Sequence, residues 1–532
     1  MIGSTVQASR LHPETFAALR QSLARQLPAF LSAKRWFGGK ARQIAAVDVV
    51  DAIPVGGSGA VIFIATVRYQ EGAEETYSIP LVPVIVPAGT SSTDAAPRVP
   101  LQDGAPVTLD DPFSRQTFLA ELLDIIKREE EVSGERGRLR GSRTAAFTEL
   151  SALSGTVLAR LHAGEQSNSS VIYEERLILK FFRRMEEGEN PDLEIGRFLT
   201  EKARFPHVAR IAGSIDYQPQ GGQPATQVIL QEFVTNQGDA WRYTLKILNE
   251  FYQGVGDSAP PRATPASDHV PEFARKPISR LLDDVALLGQ RTAELHLALS
   301  SNRQDAAFAP EPFTPEFQSS LESSFRELAS RTLRDLRARL PDLPAKYHDQ
   351  CAAVAAREPD ILRAFHMAWS APVNAMRARI HGDYHLGQVL YTGSDFVIID
   401  FEGEPARPLE ERRMKQSPLH DVAGMLRSIR YAAFAPLLGA PPGYSISEAR
   451  TGSMSAWAEA WSGWASKRFL EQYYETSGSA IYLPANAQER ARLLQAYMLA
   501  KAVYELGYEL NNRPEWVGIP LEGIVRLLPS GD

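Results

Sequence analysis

The sequence predicts an α+β fold with a strand-rich N-terminal part and a helical C-terminal part. Three observations support this prediction. Short runs of β-branched and aromatic residues, separated by Gly-containing or acidic turns, dominate the chain up to about residue 236. Apolar residues at helical spacing dominate the chain after that point. Within the helical part lies one short hairpin pattern, at 389–399, with polar motifs at both of its ends.

The first predicted domain covers residues 1–110 and is a small α+β unit. A helical pattern runs over about 11–31, and three strand patterns follow it, at 45–53, 60–69 and 76–86. A passage rich in Pro, Ser and Thr at 87–112 predicts the boundary that ends this domain.

The second predicted domain covers residues 111–236 and carries a small sheet. A helical stretch at 113–128 leads into a charged run at 128–143, which we interpret as a solvated loop. Three strands are predicted next, at 155–161, 170–173 and 177–182.

The third predicted domain, residues 237–532, is mainly helical. A stretch rich in Pro, Gly and Ser at 253–273 predicts a mobile surface insertion. The clearest helical patterns are at 278–300, 317–340 and 358–371, and another helix begins near Pro418.

Composition narrows the class of protein. The 532 residues include 44% hydrophobic residues, which is enough for large buried cores. The formal net charge of -7 argues against a general nucleic-acid binder, which needs a basic excess. The single cysteine, Cys351, excludes an internal disulfide framework and a Cys-based zinc site. No apolar run reaches the roughly 20 residues that span a bilayer, so we expect a cytoplasmic protein without membrane contact.

The most informative segments flank the predicted hairpin. The first reads His381-Gly-Asp-Tyr-His-Leu-Gly-Gln388, and the second reads Ile398-Ile-Asp-Phe-Glu402. Folding the hairpin about Ser394 predicts that Gln388 lies opposite Asp400. Cross-strand neighbours are about 5 Å apart, which is close enough for an amide oxygen and a carboxylate to share one small hard cation.

This spacing points to phosphoryl transfer from a nucleotide. Protein kinases place a base Asp five residues before an amide metal ligand, with a second metal Asp on the hairpin that follows. Asp383, Gln388 and Asp400 reproduce that order, so we expect Asp383 to be the base and the other two to bind Mg²⁺. Glu402 is a further metal candidate if the strand extends that far. His385 is expected either to contact a substrate hydroxyl or to orient Asp383.

A lysine in an apolar strand is the candidate for binding the nucleotide. Lys180 lies in Leu177-Ile-Leu-Lys-Phe-Phe182, where a buried ammonium needs a charged partner. We expect it to hold ATP phosphates and to pair with Glu194. That glutamate follows a helix start signalled by Asn190-Pro-Asp192.

The motif His-Gly-Asp-x-His-x-Gly-Gln, rather than His-Arg-Asp, resembles the aminoglycoside-phosphotransferase-like branch of the kinase fold. Within that branch, the motif together with Ile399-Asp-Phe-Glu-Gly-Glu-Pro405 resembles the maltokinases. Segments near both ends agree: Arg35-Trp-Phe-Gly-Gly-Lys40 and Tyr504-Glu-Leu-Gly-Tyr-Glu-Leu-Asn-Asn-Arg-Pro514. The resemblance implies a bilobal protein-kinase-like fold, with an N-terminal cap before a β-rich small lobe and a helical large lobe.

The resemblance also implies further site residues. The loop that ends at residue 170 stands where kinases cover the phosphates, and Leu230–Val234 resembles the hinge that meets adenine. The nucleotide-binding candidates are therefore Ser167, Asn168, Ser169, Ser170, Gln231, Glu232 and Val234. Tyr504 and Tyr508 share a helix face near Arg513, a spacing that is also typical of a helix core. The resemblance favours sugar contact for these three residues.

The function predicted in this way is ATP-dependent phosphorylation of maltose to maltose 1-phosphate. Family context implies a role in trehalose-to-glycogen conversion, with a trehalose synthase as a partner, and we expect a monomer or a weak oligomer. The alternatives are a kinase of another sugar, an amino sugar or an aminoglycoside, and a catalytically silent binding protein of kinase fold. A silent protein usually lacks the lysine, the base or the metal Asp, and this chain retains Lys180, Asp383 and Asp400.

Overall fold

The structure is a computed structural model that describes residues 13–84, 96–100, 106–151, 157–162, 168–255, 272–439 and 448–529. It divides into two compact units. The first unit comprises Met1–Arg204 and Ala209–Thr235, and the second comprises Phe205–Val208 and Asn236–Asp532. The chain thus leaves the first unit directly after the predicted hinge. The division of the first unit at residue 110 stays a prediction.

The first unit begins with helix α1, Pro13–Ala33, and an antiparallel sheet in the order β1-β2-β3-β5-β4. Leu27 and Phe30 of the helix belong to one apolar core with Phe63 of the sheet. The three strands predicted here are confirmed. The strands of this sheet are β1 (Ile44–Val55), β2 (Ala60–Tyr69), β3 (Glu75–Val84), β4 (Arg98–Pro100) and β5 (Pro106–Asp110).

The passage at 87–112, which we predicted to end the first domain, contains two strands of the first sheet, because β4 and β5 pair with each other and β5 also pairs with β3. Val99 and Val107 are buried and lie opposite each other, which anchors the passage to the sheet. The prolines of these short strands stand at their ends, where a missing N–H is tolerated. Residues 85–95 and 101–105 lie outside the described residues.

A second antiparallel sheet of the first unit has the order β6-β7-β12-β13-β10-β9-β8, and β11 pairs with β3 of the first sheet. The helices of this region are α2 (Gln116–Arg128), α3 (Phe147–Leu150) and α4 (Pro191–Arg197), which continues as a π-helical turn over Phe198–Lys202. The strands are β6 (Glu131–Ser133), β7 (Gly137–Arg143), β8 (Ala159–His162), β9 (Asn168–Tyr173), β10 (Leu177–Phe182), β11 (Arg184–Met185), β12 (Ile211–Pro219) and β13 (Ala225–Glu232).

The charged run at 128–143 is therefore not the solvated loop that we predicted. It forms the β6-β7 hairpin, and β7 pairs with β12 along its whole length. Arg138 and Arg140 are exposed while Leu139 between them is fully buried. This period-2 alternation is the signal of a half-buried strand, and the density of charge obscured it.

The second unit is built from helices. They are α5 (Ala240–Gly254), α6 (Glu272–Leu299), α7 (Pro315–Arg339), α8 (His348–Ala356), α9 (Glu358–Trp369), α10 (Leu409–Arg412), α11 (Leu419–Phe434), α12 (Glu448–Ser477), α13 (Ala487–Asn512) and α14 (Gly518–Leu527). The unit also has two short antiparallel strand pairs: β14 (Glu311–Pro312) pairs with β15 (Met376–Arg377), and β16 (Val389–Tyr391) forms a hairpin with β17 (Phe396–Ile398).

The helical predictions for the second unit are confirmed within a few residues at each end. Most of the predicted insertion at 253–273 lies outside the described residues, because 256–271 are not among them. Helix α11 is buried on nearly all its faces, which places it at the centre of the unit. Across the described ranges, no helix combines the length and the apolarity needed to cross a bilayer.

Candidate active site

The loop that carries Asp383 is held by a buried carboxylate. The backbone N–H groups of His381 and Gly382 donate to the two carboxylate oxygens of Asp421, at 2.7 and 3.0 Å. Asp421 is fully buried in the first turn of α11. Gly382 has a φ of +88°, in the left-handed region that favours glycine. Asp421 therefore anchors this loop.

Asp421 remains charged although it is buried. Burial by itself raises its pKa, but a hydrogen bond from His296 and the attraction of nearby histidines outweigh burial and hold the pKa of Asp421 well below its usual range. The distance from His296 Nε2 to the carboxylate is 3.2 Å, and His296 Nδ1 lies 2.9 Å from the hydroxyl of Tyr473. His296 therefore supports the loop anchor.

Helix α11 also fixes the far side of the loop. Ser428 Oγ accepts from the N–H of Leu386 at 3.1 Å. A Cβ on Gly424 would lie only 2.6 Å from the carbonyl oxygen of Tyr384, so only glycine allows the helix and the loop to approach this closely. The backbone that presents Asp383 is thus fixed from several directions.

The side chain of Asp383 is about one-quarter exposed, and its contacts are longer than the hydrogen bonds that Asp421 accepts. One oxygen lies 3.4 Å from Lys501 Nζ on α13, and the other lies 3.9 Å from His385 Nε2. The second distance is too long for a hydrogen bond. The carboxylate therefore keeps acceptor capacity, which a group that must receive a hydroxyl proton needs.

His385 is oriented by its own loop. Its Nδ1 accepts from the N–H of Gly387 at 3.0 Å, so the neutral ring carries its proton on Nε2, the nitrogen nearer Asp383. Burial is the main reason that the pKa of His385 is lowered, and it outweighs the nearby Asp383 carboxylate. Both roles predicted for His385, contact with a substrate hydroxyl and orientation of Asp383, remain predictions.

The hairpin differs from the prediction by one residue in register. Val389 pairs with Ile398, and the N–H of Ile399 donates to the carbonyl of Gln388 at 3.0 Å. Gln388 therefore lies opposite Ile399, not Asp400, because the turn is centred between Gly393 and Ser394. A one-residue slip in a strand reverses the side-chain direction, so a regular strand would carry Asp400 away from Gln388.

The backbone conformation of Asp400 turns its side chain back toward Gln388. Its φ is +68°, a conformation that non-glycine residues rarely adopt and that is often found at functional sites. As a result, Gln388 Nε2 donates to Asp400 Oδ2 at 2.9 Å. The juxtaposition that we predicted for Gln388 and Asp400 is confirmed, although it arises from a strained residue and not from strand pairing.

These groups have the chemistry of a site for a hard cation. Oxygens of Asp400 and Glu402 lie within 4.8 Å of each other, and the amide of Gln388 is one hydrogen bond away from Asp400. Carboxylate and amide oxygens are ligands that Mg²⁺ accepts. Asp400 and Glu402 thus fit the predicted ion. Gln388 meets Asp400 through its Nε2, so the role of its amide oxygen as a metal ligand stays a prediction.

In the first unit, Lys180 is buried on β10 together with acidic groups from α4. Its Nζ lies 3.4 Å from Asp192 Oδ2, and Glu194 is buried on the same short helix. The side chain of Asn190 caps this helix by accepting from the N–H of Asp192 at 2.8 Å. We missed Asp192 as a partner because Asn190-Pro-Asp192 was interpreted as a helix start only. The pairing of Lys180 with Glu194 remains a prediction.

The predicted phosphate loop is shorter than we expected. Ser167 lies outside the described residues. Asn168, Ser169 and Ser170 belong to β9, where Ser170 pairs with Lys180, so they are strand residues and not loop residues. Ser169 Oγ accepts from Arg183 Nε at 2.9 Å, whereas Ser170 Oγ is buried and has no hydrogen-bond partner among the described residues.

The predicted hinge lies at the end of β13. Gln231 and Glu232 are the last two residues of the strand, and Val234 follows it. The backbone N–H of Glu232 donates to the carbonyl of Arg210 at 2.8 Å, and its carboxylate pairs with the guanidinium of the same arginine. The N–H of Glu232 is therefore already used within the unit. Contacts of Gln231, Glu232 and Val234 with adenine remain predictions.

The predicted sugar residues lie on α13 and directly after it. Burial is the main reason that the pKa of Tyr504 is raised, followed by the nearby negative charge of Glu404 and a hydrogen bond to that carboxylate. Tyr508, one turn further, is 46% exposed, and Arg513 pairs with Glu509 at 2.9 Å. Lys501 precedes Tyr504 by three residues, so one helix brings both Tyr504 and the partner of Asp383 to the same face. Lys501 gave no short-range signal, because its partner is more than a hundred residues away.

Family profiles match two parts of the chain. Residues 30–94 match the maltokinase N-terminal cap domain, and residues 274–441 match the phosphotransferase enzyme family. Two relatives, both named glucosamine kinase, are similar in sequence. The one from Streptacidiphilus jiangxiensis is 24% identical over 370 residues, covering 69% of this chain and 72% of the relative. The one from Mycolicibacterium smegmatis is 25% identical over 385 residues, covering 69% and 79%.

Solved structures show the same fold. A crystal form of glucosamine kinase aligns over 96% of this chain and 99% of its own, with a TM-score of 0.63 and 19% identity. A glucosamine kinase in complex with glucosamine, ADP and inorganic phosphate aligns with a TM-score of 0.60 and 18% identity, over the same shares of the two chains. The chain therefore has the fold of these kinases, and it is similar to the maltokinase N-terminal cap over residues 30–94 and to the phosphotransferase enzyme family over residues 274–441.

Proposed function

We propose that this protein transfers the γ-phosphoryl group of ATP to a sugar hydroxyl, and that maltose is the acceptor and maltose 1-phosphate the product. The observation that carries the proposal is the catalytic loop. Its backbone is locked by the buried Asp421, while Asp383 on the same loop retains acceptor capacity. A rigid loop that presents a partly free carboxylate suits a base that must meet one hydroxyl in one geometry.

In the proposed mechanism, Asp383 accepts a hydrogen bond from the acceptor hydroxyl and takes its proton as the oxygen attacks the γ-phosphorus. Lys501 keeps the carboxylate in position, and the Nε2–H of His385 is available to the acceptor. Lys180 neutralises the α- and β-phosphates. Gln388, Asp400 and Glu402 would hold Mg²⁺, which supplies charge neutralisation for the phosphates when bound.

The charges around Tyr504 favour a neutral acceptor over a cationic one. Three glutamates lie near this residue in space or in sequence, and each is paired with an arginine: Glu404 with Arg407 at 2.9 Å, Glu505 with Arg427 at 2.8 Å and Glu509 with Arg513 at 2.9 Å. Asp383 is paired with Lys501. An ammonium group would have to displace one of these cations, whereas a neutral disaccharide would not.

The match to the maltokinase cap supports maltose among neutral sugars. Glucosamine is the second candidate, because both of the similar sequences reported above are named glucosamine kinase. A cytoplasmic location and a trehalose synthase partner stay proposals that rest on the family context alone.

The decisive experiment measures ADP release with ATP and Mg²⁺ against maltose, glucosamine, glucose, trehalose and an aminoglycoside. We expect turnover with maltose, loss of turnover when the metal is chelated, and a ³¹P signal from a phosphate on the anomeric carbon. The matched control is Asp383→Ala, which should lose turnover with every acceptor. Faster turnover with glucosamine would support the kinase activity but make glucosamine, not maltose, the acceptor. No turnover with any sugar would refute the proposal.

A further inference from the structure

A cavity of about 530 Å³ lies in the second unit, lined by α9, α13 and the segment that ends at Pro529. None of its lining residues belongs to the site described above. Its volume is in the range of pockets that hold small organic ligands. Part of its wall is apolar and includes Met367 and Leu499, and the rest is polar or charged.

The charged part of the wall is strongly positive. Among the described residues that line it are three arginines, Arg357, Arg363 and Arg492, and one carboxylate, Asp360. Asp360 pairs with Arg357 at 3.0 Å and with Arg363 at 3.2 Å, so one negative charge is shared by two guanidinium groups. The cavity therefore retains an excess of positive charge in a chain whose net charge is -7. Such local excess attracts anions even when the whole protein repels them.

Arg492 contributes a shielded donor to the wall of this cavity. Its Nε is shielded from solvent and has no hydrogen-bond acceptor within the part of the chain that the structure describes. A shielded N–H of a charged group is costly when it has no acceptor, and nearly all such groups in proteins have one. An anion in the cavity would supply the acceptor, since guanidinium groups match phosphate oxygens in geometry and charge.

We propose that this cavity binds a phosphate monoester of sugar size. The arginines would bind the phosphate group, and the apolar wall at Met367 and Leu499 would cover the carbon skeleton, which inorganic phosphate lacks. Helix α13 carries Arg492 to this cavity and Lys501 to Asp383. These two residues are nine positions apart, about 14 Å along a helix axis, so the cavity is a second ligand site and not part of the catalytic one.

The test is isothermal titration calorimetry of the full chain with glucose 6-phosphate, inorganic phosphate and glucose. We expect glucose 6-phosphate to bind more tightly than inorganic phosphate, and glucose not to bind at this site. Arg492→Gln should weaken binding of glucose 6-phosphate by about tenfold or more, as expected for loss of a charge-assisted hydrogen bond. The matched control is Arg334→Gln, an exposed arginine on α7 outside the cavity, which should bind as the wild type does.

Arg363→Gln is a second variant that does not threaten folding, because this side chain is 69% exposed. This variant should also weaken the binding of glucose 6-phosphate. Both cavity variants should keep wild-type turnover when no glucose 6-phosphate is added, which is the control for an intact catalytic site. Equal affinity of wild type and both cavity variants for glucose 6-phosphate, or no binding to wild type, would overturn the proposal. Equal affinity for inorganic phosphate and glucose 6-phosphate would overturn the assignment to an organic ligand.

Discussion

Two aspartates in the second unit, Asp421 and Asp383, are close in structure but differ in how their oxygens are used. Asp421 is fully buried. Both of its oxygens accept hydrogen bonds from backbone N–H groups, and His296 is a further donor. Asp383 is partly exposed and has Lys501 as its nearest partner. The first carboxylate fixes a loop, and the second is presented by that loop. One carboxylate thus provides rigidity, and a different one is available for reaction.

The largest expected effect comes from the presented carboxylate. Asp383→Asn should lower kcat by about a thousandfold, because the amide cannot take the proton of the acceptor hydroxyl. The melting temperature should stay close to that of wild type, since a partly exposed pair adds little to stability. Steady-state kinetics and calorimetry on the same preparation test this. A large loss of stability would mean that Asp383 is structural, and the comparison would fail.

The anchoring carboxylate should show the reverse pattern. Asp421→Ala should lower the free energy of unfolding by about 3 kcal/mol, because two buried N–H groups and His296 lose their acceptor. Urea unfolding measures this change. The control is Asp349→Ala, an exposed aspartate that also lies in the first turn of its helix, α8, and should cost well under 1 kcal/mol. Similar losses in the two variants would contradict the anchor role.

The low pKa of Asp421 makes its contribution to the free energy of unfolding depend on pH. A carboxylate whose pKa is lower in the folded state than in the unfolded state stabilises the protein at pH values above its unfolded pKa, which is about 4. This contribution is lost as the pH falls, since the unfolded state takes up the proton first. We therefore expect the stability gap between wild type and Asp421→Asn to be constant near neutral pH and to shrink below about pH 4. A gap that widens on acidification would mean that folding raises the pKa of Asp421 instead of lowering it.

A smaller effect is expected at Lys501, which links α13 to the catalytic loop. Lys501→Met should lower kcat/KM by about tenfold, because Asp383 loses the charged donor that orients it. Lys501→Arg should restore part of the loss, since it keeps the charge. Unchanged kinetics in the Met variant would show that the loop alone orients Asp383.

The smallest expected effect is at Tyr508, which is 46% exposed on the same helix. Tyr508→Ala should raise the KM for the sugar about threefold and leave kcat unchanged, as expected for the loss of one aromatic contact in the ground and transition states alike. The KM for ATP serves as the internal control and should not move. An unchanged KM for the sugar would remove Tyr508 from the acceptor site.

Local patterns allowed much of the fold to be predicted. Strand β10 has the predicted bounds, and the helix that begins near Pro418 was expected from its sequence. The hairpin β6-β7 was missed because charge density was given more weight than the alternation around Leu139. The register of the catalytic hairpin was wrong by one residue, because a turn containing Gly393 and Ser394 can be centred in more than one way.

The sequence by itself determined the order and chemical types of the catalytic groups, since Asp383, Gln388 and Asp400 lie within one short segment whose hairpin brings them together. The tertiary structure alone decided the left-handed backbone that turns Asp400 toward Gln388, the pairing of Asp383 with Lys501, and the unpaired Nε of Arg492 in its cavity. The physical reason is the separation in sequence between the residues that interact. Hydrogen bonds and turns between neighbours leave a pattern in the sequence, whereas contacts between residues a hundred positions apart depend on how whole helices pack.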